Sequence, residues 1–192
     1  MNHRNKSRQV AQIALLLATM VVIEFVSQMI FAIFVFPIKP TLTMIPVIVA
    51  SIIYGPKIGA GLGGFMGVMS IIRNTIVLLP TSYLFSPFAP NGSWRSLLIA
   101  LIPRILIGVF PYFIYKIMTN KIGLILSGVI GSLTNTIFVF LGIYLLFSGV
   151  YTGNVQHLLA LVFTNNAIAE MIISGIVILA LIPALERIKI NP

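Results

Sequence analysis

Residues 9–36 read QVAQIALLLATMVVIEFVSQMIFAIFVF, an apolar run interrupted only by a few polar residues, Glu24 and Gln28 among them, and preceded by a basic segment with Arg4, Lys6 and Arg8. A basic start followed by an apolar stretch is also how a secretory signal begins, but the apolar part of a signal is only about 7–15 residues long. This run is longer and carries a carboxylate, so it reads as a retained first membrane helix. The rest of the chain has the same character. Its 192 residues are 59% hydrophobic and 8% charged, with a mean hydropathy of +1.11, which a water-soluble domain could carry only by exposing large apolar surfaces. The solvent is therefore lipid. Crossing a hydrocarbon core takes roughly 20 apolar residues, so the length accommodates about six helices, short loops and one membrane domain spanning residues 1–192.

Proline, glycine and lysine punctuate the chain into expected spans at 9–35, 42–55, 58–79, 95–117, 122–147 and 158–186. The second is short and closes on Gly55-Pro56-Lys57, a tight turn that makes spans two and three a helical hairpin. The expected fold class is all-α, a polytopic membrane protein of six transmembrane helices. The net charge of +9 reflects topology rather than nucleic-acid binding. With an inward N-terminus, Arg4, Lys6, Arg8, Lys57, Lys116, Lys121, Arg187 and Lys189 lie inside and only Lys39 and Arg95 outside, so the excess of basic residues sets both termini in the cytoplasm. The outer connections become Pro37 to Pro40, Pro80 to Trp94 and Ser148 to Gln156. The second is long and aromatic; it either caps a cavity or is a plain connector with interfacial rings.

Several motifs exclude chemistry. There are no cysteines, so disulfides and thiolate metal sites are ruled out. Gly59-Ala60-Gly61-Leu62-Gly63-Gly64 formally matches a dinucleotide fingerprint, but no strand precedes it and no acidic residue follows at the required distance. No G-x-x-x-x-G-K-[ST] occurs, so this chain binds no ATP of its own through that loop. Neither histidine is inside a span, His157 reading as an interfacial residue, and no H-E-x-x-H or G-x-S-x-G motif appears, which argues against an intramembrane enzyme. Gly55, Gly59, Gly63 and Gly67 recur every fourth residue and form a ridge where another backbone can approach. Ala11, Ala14 and Ala18 make a second small-residue face near the cytoplasmic end of span one, suited equally to a partner helix or to packing within the chain.

Polar residues inside spans carry the functional signal: Glu24, Arg73, Asn74, Arg104, Asn135, Asn165, Asn166 and Glu170. Counted inward at 1.5 Å per residue, Arg73, Asn166, Arg104, Glu24, Asn135 and Glu170 lie about 9 to 18 Å below the outer surface. Side chains from five spans at one depth can converge on a single outward-opening cavity. The other reading is two buried Arg–Glu pairs that fix helix packing. A guanidinium binds a carboxylate through two parallel hydrogen bonds, and asparagines serve hydroxyls and amides. The ligand expected from Arg73, Arg104 and these asparagines is small, polar and acidic.

The whole chain resembles the S component, the substrate-binding membrane subunit, of energy-coupling factor (ECF) vitamin transporters. The resemblance rests on its size and six spans, on Ala14-x-x-x-Ala18, on Ile45-Pro46 opening a short second span, and on Gly55-Pro56-x-x-Gly59-x-x-x-Gly63. Within that family, Pro37-Ile38-Lys39-Pro40-Thr41, Ile72-Arg73-Asn74-Thr75, the segment Leu79 to Phe88 and Pro103-Arg104-Ile105-Leu106-Ile107-Gly108 are most similar to members assigned to pantothenate. The resemblance implies an ATP-driven importer in a bacterial cytoplasmic membrane, with a transmembrane coupling subunit and two cytosolic ATPases as partners. It implies that Ala14 and Ala18 meet the coupling subunit and that the loaded subunit topples to release its vitamin inside. The expected substrate-binding residues are Arg104, Arg73, Asn74, Asn135, Asn166, Asn165, Glu170 and Tyr83, with no cofactor or metal held by this chain. Pantothenate, with one carboxylate, an amide and two hydroxyls, fits that set. An S component for another water-soluble vitamin, or a stand-alone secondary transporter, are the alternatives.

Overall fold

A computed structural model describes residues 3–33, 41–147 and 154–190. The connection Pro37–Pro40 with Lys39, and residues 148–153 of the last outer connection, lie outside the described residues, as does the His157 side chain. The described residues are helical throughout apart from turns: α1 (His3–Ile33), α2 (Met44–Tyr54), α3 (Pro56–Ile76), α4 (Arg95–Ile107), α5 (Phe110–Ile117), α6 (Lys121–Leu146) and α7 (Asn154–Ile190), with a single 3-10 turn at Ser82–Leu84. Among the described residues, four segments are long and apolar enough to cross a membrane: Gln9–Ile30, Arg95–Ile117, Lys121–Leu146 and Asn165–Glu186.

One departure from the sequence reading has a local cause. The expected fourth span is two helices, because α4 stops at Ile107 and α5 restarts at Phe110. Pro111 cannot donate to the carbonyl four residues back, and a Cβ on Gly108 would collide with the backbone of Gly59, so the chain bends where it presses on α3. The Ser51 hydroxyl accepts from the freed Tyr112 amide at 3.2 Å and caps the restart. The second span is short, as expected: the 11 residues of α2 rise only about 16 Å, half of a hydrocarbon core. Its N-terminus therefore starts deep within the bundle, at the level of the polar residues. Gly55 holds φ at +92°, a conformation that L side chains avoid, and so turns α2 tightly into α3.

The glycine ridge acts as expected. A Cβ on Gly59, Gly63 or Gly67 would run into Gly108, Arg104 or Ala100 respectively, all backbone atoms of the α4 segment. Three contacts at four-residue intervals lock α3 and α4 backbone to backbone. At Gly128 the same close approach joins α6 to Ser174 of α7, whose hydroxyl donates to the Gly128 carbonyl at 2.9 Å. The apolar core gathers α2, the inner half of α1, and parts of α3, α6 and α7 around Met20, Met44, Ile48, Ile178 and Ile182. Helix α1 rests chiefly on α2. Its opposite face, with Ala14, Leu15, Ala18, Val22 and Phe25, is exposed.

Candidate functional site

Pro103 within α4 leaves the Ile99 carbonyl without its helical donor. The Arg104 guanidinium takes that carbonyl through Nη1 at 2.9 Å, which turns the side chain back along the helix and inward. Arg104 is 6% exposed, and its Nε has no partner among the described residues. The Phe85 ring, from the loop between α3 and α4, lies over the guanidinium with its centre 5.2 Å from Cζ, where the negative face of the ring favours a cation. An arginine buried in this way keeps donor capacity in a place where donors are normally satisfied.

Beside the ridge that grips α4, helix α3 presents Met66, Met69, Ser70 and Arg73. With Glu24 of α1, Thr41 and Thr43 before α2, and Arg104, they line a cavity of about 20 Å³. The Ser70 hydroxyl is also buried without a partner among the described residues. Arg73 is paired: its Nη1 lies 3.1 Å from Glu24 Oε1, the side chains being 38% and 13% exposed. Gln28 donates to the same oxygen at 2.8 Å. Glu170 of α7 closes the far side, accepting the Thr41 backbone N–H at 2.7 Å and so fixing the start of the short α2. A cavity this small holds about one water. A larger molecule enters only when the lining elements part.

The sequence-derived residues thus divide. Arg73 and Arg104 converge on the cavity, and Glu170 abuts it through Thr41. Asn74 is buried but occupied elsewhere, donating to the Ser70 carbonyl at 2.8 Å and accepting from the Ser82 hydroxyl at 3.2 Å, so it ties the outer loop to α3. A second tie joins the Thr75 and Ser86 hydroxyls at 2.7 Å. Tyr83 packs edge-on against Phe147, with ring centres 6.1 Å apart, in a cluster where Leu84, Phe85, Ile99, Val139 and Ile143 are buried. The loop between α3 and α4 is thus a packed cover over Arg104 rather than a plain connector. Asn135 is buried on α6 with Oδ1 unpartnered among the described residues. Asn165 is exposed and Asn166 half-buried. Of the two Arg–Glu pairs considered from the sequence, Arg73–Glu24 is formed, whereas Glu170 accepts from backbone.

Sequence reasoning passed over Ser70, Met66, Met69, Thr41 and Thr43 as lining residues. Stepping back from Arg73 by three, four and seven residues finds Ser70, Met69 and Met66 on one helical face. The threonines carried no such signal, since their place depends on how short α2 is.

Apolar helices enclosing a cavity lined by two guanidinium groups define a membrane-embedded binding protein. The family model described as "ECF transporter, substrate-specific component" matches residues 8–185, and the chain belongs to that family. It is a transport protein and not an enzyme. It is 42% identical over 193 residues, covering 98% of each chain, to the protein named Pantothenic acid transporter PanT of Lactococcus lactis subsp. cremoris (strain MG1363).

Proposed function

We propose that this chain is the pantothenate-binding subunit of an ATP-driven importer. The observation that carries the reading is the buried Arg104 with its unpartnered Nε, beside the equally unpartnered Ser70 hydroxyl at one cavity with Arg73. A carboxylate accepts from guanidinium N–H groups, and a serine can donate to or accept from a hydroxyl or amide. The name of the Lactococcus relative supports the same substrate. The purified subunit is expected to bind pantothenate and to bind the corresponding alcohol, pantothenol, far more weakly. Calorimetric titration with both checks this; equal affinity for acid and alcohol would reject carboxylate recognition.

Membership of the family supports a complex with a transmembrane coupling subunit and two cytosolic ATPases, which supply the ATP chemistry. Ala14 and Ala18, exposed on α1, are the contact with the coupling subunit in this proposal. The subunit then resides in the bacterial cell membrane with both termini inside, a topology supported by the uneven distribution of Lys and Arg. The chain contains no cysteine, so single cysteines report topology cleanly. In intact cells, Asn5→Cys and Asn191→Cys should resist an impermeant thiol reagent while Asn91→Cys reacts. Labelling of one terminus alone would mean an odd number of crossings.

A further inference from the structure

We propose that Glu24 is an internal stand-in for the ligand's carboxylate, holding Arg73 while the cavity is closed and releasing it to the incoming acid. The inference rests on the carboxylate-binding reading above and assigns a role to a residue outside it. Among the described residues Glu24 is the only acidic side chain in the cavity lining, which it shares with Arg73 and Arg104. It holds Arg73 through a single Nη1–Oε1 contact of 3.1 Å, not through the two parallel bonds that a guanidinium can offer a carboxylate. The pair is partly exposed, Arg73 at 38% and Glu24 at 13%, and ion pairs near a surface are weak and exchangeable. The second partner of the same oxygen, Gln28, is a neighbour on α1, so Glu24 keeps a hydrogen bond when it leaves Arg73.

The placement gives the exchange a consequence. Helix α1 rests chiefly on α2, through Ile13, Leu16, Leu17 and Met20 of its inner half, while Glu24 reaches across to α3 further out. The cavity measures only about 20 Å³ with that link in place. An acid that takes Arg73 undoes the link and widens the cavity in one step. Until then Glu24 also keeps the paired cation from attracting other anions.

The test compares affinities of the purified full-length subunit for pantothenate and pantothenol. Glu24→Gln removes the competing charge and leaves two unopposed arginines in the lining, so pantothenate should bind about five- to tenfold more tightly, the range open to a weak ion pair and the repulsion it relieves. Pantothenol, having no carboxylate, should change less than about twofold on the same reasoning. Adding Arg73→Gln should erase the gain. Glu24→Asp, which keeps the charge one methylene further from Arg73, should fall between. If Glu24→Gln leaves pantothenate binding unchanged or weakens both ligands alike, the pair is a packing clamp and the proposal is wrong. Failure of both Glu24 variants to fold would overturn it in the same way. Absence of pantothenate binding by the wild type would instead overturn the substrate reading, and this inference with it.

Discussion

Arg104→Gln should weaken pantothenate binding roughly ten- to a hundredfold, the equivalent of about 1.5–3 kcal/mol for hydrogen bonds to a charged group. Two features make this the larger of the two arginine effects. Arg104 is buried and has an unpartnered Nε, whereas Arg73 already holds Glu24 at 3.1 Å, so part of its interaction with a ligand is offset by the bond it gives up. Glutamine at position 104 has neither the charge nor the fork of donors. It also withdraws the donor from the Ile99 carbonyl, now held at 2.9 Å. A lost hydrogen bond of that kind costs about 1 kcal/mol. In a chain of this size that lowers the melting temperature by only about 2–4 °C, because the backbone contacts of Gly59, Gly63 and Gly67 with α4 are untouched. Arg104→Lys, which restores charge without the planar fork, should recover part of the affinity. The control ligand is pantothenol, whose weak binding should hardly change. A steep fall in melting temperature with equal proportional losses for acid and alcohol would make Arg104 a packing residue and reject direct recognition.

What the sequence revealed, and what it hid, follows from how local each cause is. The glycine ridge was legible because its four-residue spacing exists in the chain itself, and the structure puts it against α4. Arginines within apolar spans were legible because charge in lipid demands a reason. The break between α4 and α5 had its signs, Gly108 and Pro111, yet the continuous, largely apolar run from Ser96 to Tyr115 concealed it. The roles of the asparagines depended on tertiary pairing. Asn74 and Arg73 are adjacent on α3, but Asn74 turns toward the outer loop and bonds Ser82, while Arg73 faces the cavity. Depth alone could not separate them. Asn165 shares the depth of the polar set but is exposed, because depth fixes height along a helix and not direction around it. The Pro103–Arg104 relation was implicit in the sequence as well: a proline frees the carbonyl four residues back, and the next residue carries the donor that reaches it.

Ala14→Trp and Ala18→Trp should abolish uptake while leaving ligand binding by the isolated subunit near normal. Both alanines lie on the exposed face of α1, whereas Ile13, Leu16, Leu17 and Met20 on the other face pack into the core. An indole at either position therefore projects away from the bundle and displaces no internal neighbour. Neither alanine lines the cavity, to which α1 contributes Glu24, further along the helix, among the described residues. Two apolar helices in lipid gain nothing from leaving water, so their association depends on close van der Waals approach over small side chains. A ring at position 14 or 18 stops that approach. Ile137→Trp, at an exposed site on α6 that is 50% accessible, supplies the control: it adds a similar bulk to the lipid-facing surface and should leave uptake intact. Uptake by cells and pantothenate titration of the purified variants separate the outcomes. Lost binding in the isolated Ala14 or Ala18 variants would place these alanines in the internal packing and remove the docking face; uptake lost equally in the Ile137 variant would mean that bulk anywhere on the surface is harmful.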